Sequence, residues 1–347
     1  MGLQTQFNKF HKKINLTRQD QAYKNAREKD DSILEKIRES FKKEGHPIIS
    51  DFIQGSLKTC TAIKSVDGDF DIDRAIVIDA EKAPDNPVDV KLIVLDVLEA
   101  RGFKNATIKK PCVTADYASL NLHIDFPVYT KDGDKYKLAI GRKNSTSENR
   151  KWDNSDPNGL QEWVNDDRYH QKKWDVLTDV EFKQFRRVVQ YLKRWRDEQY
   201  TSSSERKKVY SIGLTVMVKK SFCPSADDEG TPNDLLAIKD TVLCILSQSE
   251  FFIDLGDDKY DLIVKLPKSP HRDIFNDHGS TVATKLRNKF STLTKKIIEV
   301  EIEKDLKKQC EILQKQFGVD FPIPEIDGGS SKAIYATSGV SSSSQGA

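Results

Sequence analysis

The chain has 347 residues, 37% of them apolar, and its 56 basic and 54 acidic side chains leave a formal net charge of only +2. That is room for two lobes rather than several independent domains, without the strong basic excess of a dedicated binder of long nucleic acid. No apolar run approaches the ~20 residues that cross a bilayer, no apolar leader follows Met1, and the five scattered cysteines (Cys60, Cys112, Cys223, Cys244, Cys310) form no C-x-x-C pair, so the sequence reads as a cytoplasmic protein with neither disulfide framework nor zinc site.

In chain order, residues 17–43 read as an amphipathic helix, with Ile33, Leu34, Ile37 and Phe41 at helical spacing and Gly45-His46-Pro47 as its end. Residues 48–53 read as a strand leading to Gly55-Ser56. Residues 69–78 form a strand that is polar at its start and buried toward its end. A helix over 88–100 stops at Gly102. Residues 105–110 and 118–128 are two further strands; in the second, Leu120, Leu122, Ile124 and Phe126 alternate with Asn121, His123 and Asp125. The polar stretch 131–156 separates this lobe from the C-terminal half. From Thr178 the pattern is helical, with Phe182, Phe185, Val188, Val189, Leu192 and Trp195 in one apolar stripe. Further helices are expected at 211–221, 234–249 and 281–317, with polar loops at 200–208 and 224–233. Residues 327–347 are rich in Ser and Gly and are expected to be a flexible tail.

Three features recur in an order that carries chemistry: Gly55-Ser56, then Asp71-Ile72-Asp73, then Asp125. Side chains two apart on a strand share a face, so Asp71 and Asp73 present adjacent carboxylates. Asp69 shares that face too; the apolar run Ala75–Ile78 directly after Asp73 favours the later pair. Like charges side by side repel, and magnesium relieves them, taking one or two carboxylates together with substrate phosphates. If the two strands are neighbours, Asp125 completes a two-metal site. Glycine at the strand-to-helix junction lets backbone amides approach a phosphate, and Ser56 adds a hydroxyl. Each piece alone has an ordinary explanation: a turn, a solvated loop, a surface acid. Their conjunction is far more specific. A P-loop, H-E-x-x-H and G-x-S-x-G are all absent from the sequence.

These residues resemble a known family. Gly55-Ser56 with Thr61, Asp71-x-Asp73, and His123-Ile124-Asp125-Phe126-Pro127 are similar to the polymerase-beta-type nucleotidyltransferase core. More narrowly they resemble the CD-NTases, bacterial relatives of cyclic GMP-AMP synthase. Ser155-Asp156-Pro157-Asn158-Gly159-Leu160 with Trp163, Tyr191-Leu192-Lys193-Arg194-Trp195, Tyr210-Ser211-Ile212-Gly213-Leu214, and Gln316-Phe317-Gly318-Val319-Asp320-Phe321-Pro322 point the same way. The resemblance implies an α+β fold. A nucleotidyltransferase core of mixed sheet and helices would span residues 1–160, a helical lobe 161–326 and the tail 327–347, with the active site in the cleft.

It further implies catalytic, metal-binding carboxylates at Asp71, Asp73 and Asp125, holding two Mg2+ ions, with Mn2+ as a substitute. Nucleotide contacts would come from Gly55, Ser56, Thr61, Lys193, Ser211 and Tyr210. Read from the residues alone, Ser211 is an N-cap of the following helix and Lys193 a helix cation beside the buried stripe. An aliphatic Ile212 stands where some relatives carry a base-stacking aromatic, which leaves Tyr210 as the candidate for that role.

The implied function is condensation of nucleoside triphosphates into a cyclic di- or oligonucleotide messenger of antiphage defence, read by an effector protein. No membrane or long nucleic acid would be needed, and a ubiquitin-transfer-like partner would act on the tail. The alternatives are a non-cyclising transferase, making linear oligonucleotides or nucleotidylating RNA or protein, and a binding module with a silent site.

Overall fold

A computed structural model describes residues 2–64, 66, 70–117, 122–168, 176–248 and 250–325. Asp69, part of the 118–128 strand expectation and all of the expected tail lie outside the described residues.

The chain opens with α1 (Leu3–Ile14), which the sequence pattern did not reveal, and α2 (Gln21–Lys43). β1 (Ile48–Gln54) runs into a four-residue helix, α3 (Gly55–Lys58), and then to β2 (Phe70–Asp79). Asn86 caps α4 (Pro87–Ala100) by accepting from Val88 N–H, with Pro87 in the first turn. Gly102 then leaves the helix at φ +89°, the left-handed exit that favours glycine.

Six strands come next: β3 (Thr107–Ile108), β4 (Val113–Tyr117), β5 (Leu122–Phe126), β6 (Val128–Asp132), β7 (Lys135–Ile140) and β8 (Lys151–Ser155). They join β2 in a mixed sheet of order β3-β4-β5-β2-β6-β7-β8, and β1 pairs antiparallel with β2. β5 and β6 are both parallel to β2 in one register, with Asp73 opposite Asp125 and Ile76 opposite Val128. They are one line of chain interrupted at Pro127, whose carbonyl still accepts from Ile76 N–H at 2.9 Å.

Two expectations need correction here. The strand ending at 128 breaks at Pro127 and continues, because proline lacks the N–H a ladder needs. The polar stretch 131–156 is no separator: it supplies β7 and β8, whose polar residues face solvent while Leu138, Ala139 and Ile140 are buried.

The C-terminal half is helical: α5 (Pro157–Asn165), α6 (Asp179–Gln199), α7 (Ser203–Arg206), α8 (Ser211–Ser221), α9 (Asp234–Ser247), α10 (Ser280–Ile302) and α11 (Leu306–Phe317). Thr178 and Glu181 form a reciprocal capping box at the start of α6. The expected 281–317 helix is two, parted at 303–305, where Asp305 caps α11. A hairpin, β9 (Phe252–Gly256) with β10 (Lys259–Leu262), packs on α10.

One apolar cluster lies between the sheet, α2 and α4, around Ile33, Ile37, Phe41, Ile72, Ile76 and Phe126. A larger one gathers the C-terminal helices around Phe185, Leu192, Trp195, Met217 and Phe290, and it takes in Phe7, Phe10 and Ile14 of α1. The acidic face of β2 belongs to neither; its continuation, Ala75 and Val77, packs with Tyr129, Leu138 and Ile140.

Candidate active site

The three candidate carboxylates meet because β2 and β5 are adjacent. In their parallel register Asp73 stands opposite Asp125, and Asp71 opposite His123; alternation puts all four side chains on one face. β4 supports them from the next position, with Thr114 opposite Asp125 and Asp116 opposite His123. Thr114 Oγ1 donates to Asp125 Oδ1, and His123 Nδ1 is 2.6 Å from Asp116 Oδ1.

β1 closes the other side of β2, with Gln54 opposite Asp73. The next residue, Gly55, has φ +69°, and a Cβ there would lie 2.1 Å from Asp73 Oδ2. Backbone conformation and space therefore both require glycine, and the Gly-Ser turn is pressed directly against a candidate metal carboxylate. Ser56 is half-buried, and its carbonyl accepts from Thr61 N–H at 2.9 Å.

Lys193 enters from α6. It is buried, and its Nζ donates to the Thr61 carbonyl at 2.9 Å and to Thr61 Oγ1 at 3.1 Å. Two residues singled out separately in the sequence are thus hydrogen-bonded partners. Ser211 Oγ accepts from Arg196 Nη1 at 2.7 Å. It is the first residue of α8, and Tyr210 holds the N-cap position without a side-chain cap bond. The N-cap reading of Ser211 is therefore corrected by one position: Tyr210 carries the extended backbone of a cap, so the hydroxyl of Ser211 is left for Arg196. Tyr210 is 37% exposed, and its ring packs on His278 and Phe275, with centroids 5.1 and 5.6 Å away.

The electrostatics are those of carboxylates crowded on one face of a sheet. Burial, then the carboxylates of Asp125 and Asp71, push Asp73 up to about 8. Loss of bulk water and the charge of Asp125 raise Asp71 as well, although its side chain is exposed at the strand start. Burial and the neighbouring Arg196 lower Lys193 to about 7, against the pull of Asp197, Asp73 and Asp71. A divalent ion between the carboxylates would offset their mutual repulsion. Among the described residues no three His, Cys, Asp or Glu side chains form a ready-made metal cage. Asp71, Asp73 and Asp125 could hold a divalent ion only with further oxygen ligands, such as substrate phosphates.

Sequence reasoning missed Arg196, Thr114 and Lys109. Arg196 bonds Asp197, the Val209 carbonyl and Ser211, and its i+3 spacing from Lys193 was the available signal. Thr114 lies in β4, a strand with no clear signature in the sequence, and Lys109 (Nζ 3.8 Å from Asp125 Oδ1) lies just before it.

Residues 1–167 match the family model of the SMODS domain, the Second Messenger Oligonucleotide or Dinucleotide Synthetase domain. That match takes in just under half of the chain, which has the CD-NTase fold. A curated relative, the cyclic GMP-AMP synthase of Escherichia albertii, is 28% identical over 199 residues, covering 55% of this chain and 41% of that relative. The match thus spans about two fifths of the relative's length.

Among solved structures, the Bradyrhizobium diazoefficiens CD-NTase CdnG in complex with GTP superposes with TM-score 0.68 at 15% identity, over 92% of this chain and 96% of the other. The Vibrio cholerae cyclic AMP-GMP synthase DncV, in complex with the linear intermediate 5′ pppA(3′,5′)pG, gives TM-score 0.68 at 16% identity over 91% and 96%. At these identities the likeness is one of fold. In that fold the Ser155–Trp163 motif has a structural reason: Asp156 caps α5 by accepting from Gly159 N–H at 2.7 Å, and a Cβ on Gly159 would strike the cap carboxylate.

Proposed function

We propose that this chain is a magnesium-dependent nucleotidyltransferase of the SMODS family that condenses nucleoside triphosphates into a cyclic di- or oligonucleotide with release of pyrophosphate. The observation that carries this reading is the register that sets Asp73 opposite Asp125, with Asp71 on the same face and Gly55 pressed against Asp73. Asp71, Asp73 and Asp125 would hold Mg2+, two ions in all, with Mn2+ as a substitute. When bound, these ions lower the pKa of the attacking ribose hydroxyl and steady the leaving pyrophosphate.

The chain's own residues bind and orient. The Gly55-Ser56 turn offers a close backbone approach for a phosphate. Lys193, held beside Thr61, and Ser211, held by Arg196, grip the donor triphosphate, and Tyr210 offers its ring to a base. The cleft then lies between a core of residues 1–160 and a helical lobe of 161–326, with α1 docked on the helical side.

The names of the relatives support the product class: one is a cyclic GMP-AMP synthase, and another was captured with a linear pppApG intermediate. We place the activity in cytoplasmic antiphage signalling, with an effector protein reached through the product. A ubiquitin-transfer-like partner would act on the Ser- and Gly-rich segment 327–347. Incubation with four labelled NTPs and Mg2+, followed by mass spectrometry, tests the reading. A cyclic product is expected; products that are only linear or attached to RNA or protein overturn it.

A further inference from the structure

Two lysines approach the carboxylates from opposite flanks, one beside β2 and one beside β5. Lys193 arrives on the β1 side, bonded to Thr61 in the loop after α3. Lys109 arrives on the β3–β4 side, its Nζ 3.8 Å from Asp125 Oδ1. The proposed function assigns a role to Lys193 and none to Lys109.

Lys109 is not a loosely tethered surface cation. Its N–H donates to the Cys112 carbonyl at 2.9 Å. Its own carbonyl accepts at 2.7 Å from Nζ of Lys91, a fully buried lysine on α4. The same ammonium also holds the carbonyls of Lys110 at 2.9 Å and Gly141 at 2.7 Å, and Gly141 N–H returns to Lys110 O at 3.0 Å. A buried ammonium is costly unless its donors are filled, and here three carbonyls fill them. The backbone at Lys109 is thereby pinned from inside the core, while its side chain remains 53% exposed beside Asp125. This is a fixed elbow with a swinging charge.

The proposed reaction needs such a charge once, not twice. Joining two NTPs brings two triphosphates to one cleft. The donor's triphosphate lies on the Lys193 side, so the acceptor, with a triphosphate of its own, comes from the Asp125 side. At ring closure a single molecule supplies both ends, and its one triphosphate is then the donor's. We infer that Lys109 binds the phosphates of the acceptor nucleotide during the first bond, and that Lys91 is the positioning residue that presents it. The inference rests on the cyclic-synthase reading.

The test uses the full chain with Lys109→Ala and Lys109→Arg. Rapid-quench kinetics would follow linear dinucleotide formation from NTPs. Separately, they would follow closure of a supplied linear dinucleotide triphosphate with the bases of the wild-type product. Lys109→Ala should lower kcat/KM of the first bond roughly ten- to hundredfold, the scale of one charge-assisted contact, mainly through KM. Closure should fall far less, and Lys109→Arg should recover most of the first-bond rate. Equal slowing of both steps overturns the inference, since Lys109 would then only balance Asp125; so does no slowing of either. A wild-type enzyme that makes linear product and never closes it defeats the cyclic reading alone, and the first-bond defect still decides Lys109.

Discussion

Asp73 is the residue on which the candidate site turns. Burial and its acidic neighbours hold its folded pKa up to about 8, against roughly 3.9 for a free aspartate. The folded chain therefore keeps a proton that the unfolded chain has lost. Linkage then gives a contribution to stability that is full below about pH 4 and is lost as pH rises toward 8. In chelator-treated protein, the melting temperature of Asp73→Asn should gain on wild type across that window, and Mg2+ should restore the wild type only. A constant difference across pH would remove the electrostatic account.

The double variant Asp71→Asn/Asp73→Asn should stay folded by circular dichroism and release no pyrophosphate. Gly55→Ala gives an independent check of the same geometry. Its Cβ would press on Asp73 Oδ2, and displacement of a reacting group by about 1 Å costs on the order of a hundredfold in rate. The left-handed backbone adds only about 1–2 kcal/mol of strain. Turnover should thus collapse in a protein that still melts cooperatively; near-normal turnover would mean that the turn does not set the position of Asp73.

At the scale of elements, β2 must be held in place from behind. Arg74, on the face opposite Asp73, is buried between α2 and the sheet. It bonds Asp30 Oδ2 through Nε at 2.9 Å, Asp51 Oδ2 at 2.7 Å and Asp31 Oδ1 at 2.8 Å. Asp30 is fully buried, and burial, partly offset by Arg27, raises it to about 7. Arg74→Met should cost about 3–5 kcal/mol in urea unfolding, because it strands buried charge. Adding Asp30→Asn should recover part of that loss; a loss under about 1 kcal/mol in the single variant would show that the network does not anchor β2.

Period-two alternation made β2 and β5 legible, and with them the carboxylates. Composition hid β7 and β8, whose solvent-facing residues make the segment look like a linker. α1 escaped because its apolar residues Phe7, Phe10 and Ile14 gain their meaning only against helices far away in sequence. The Lys193–Thr61 bond was out of reach for the same reason, since its partners are 132 residues apart.

On the scale of the whole molecule, one face of α6 joins the two apolar clusters. Gln190 Nε2 donates to the Ala62 carbonyl at 2.9 Å, Lys193 to Thr61, and Arg194 Nη2 to the Lys64 carbonyl at 2.6 Å. The loop they hold runs from the Gly55-Ser56 turn toward the β2 carboxylates, so the proposed donor grip and the metal carboxylates share one mounting. Arg194 also reaches Asp320 at 2.7 Å, and Phe321 packs on Phe7 and Phe10 with centroids 5.1 Å apart, so both ends of the described chain brace the same helix. With a single carboxylate constellation proposed, both bonds of a cyclic product must form in this one cleft. The linear intermediate must keep its 5′-triphosphate, the only activated donor left for closure, and must rebind with that group on the Lys193 side. In a time course with Mg2+, a phosphatase-sensitive linear species should therefore appear early and decline, while phosphatase-resistant product accumulates. Lys193→Ala should raise KM for both steps, since it removes charge that binds ground state and transition state alike. A product that stays phosphatase-sensitive and lengthens with time would instead identify a linear polymerase built on the same mounting.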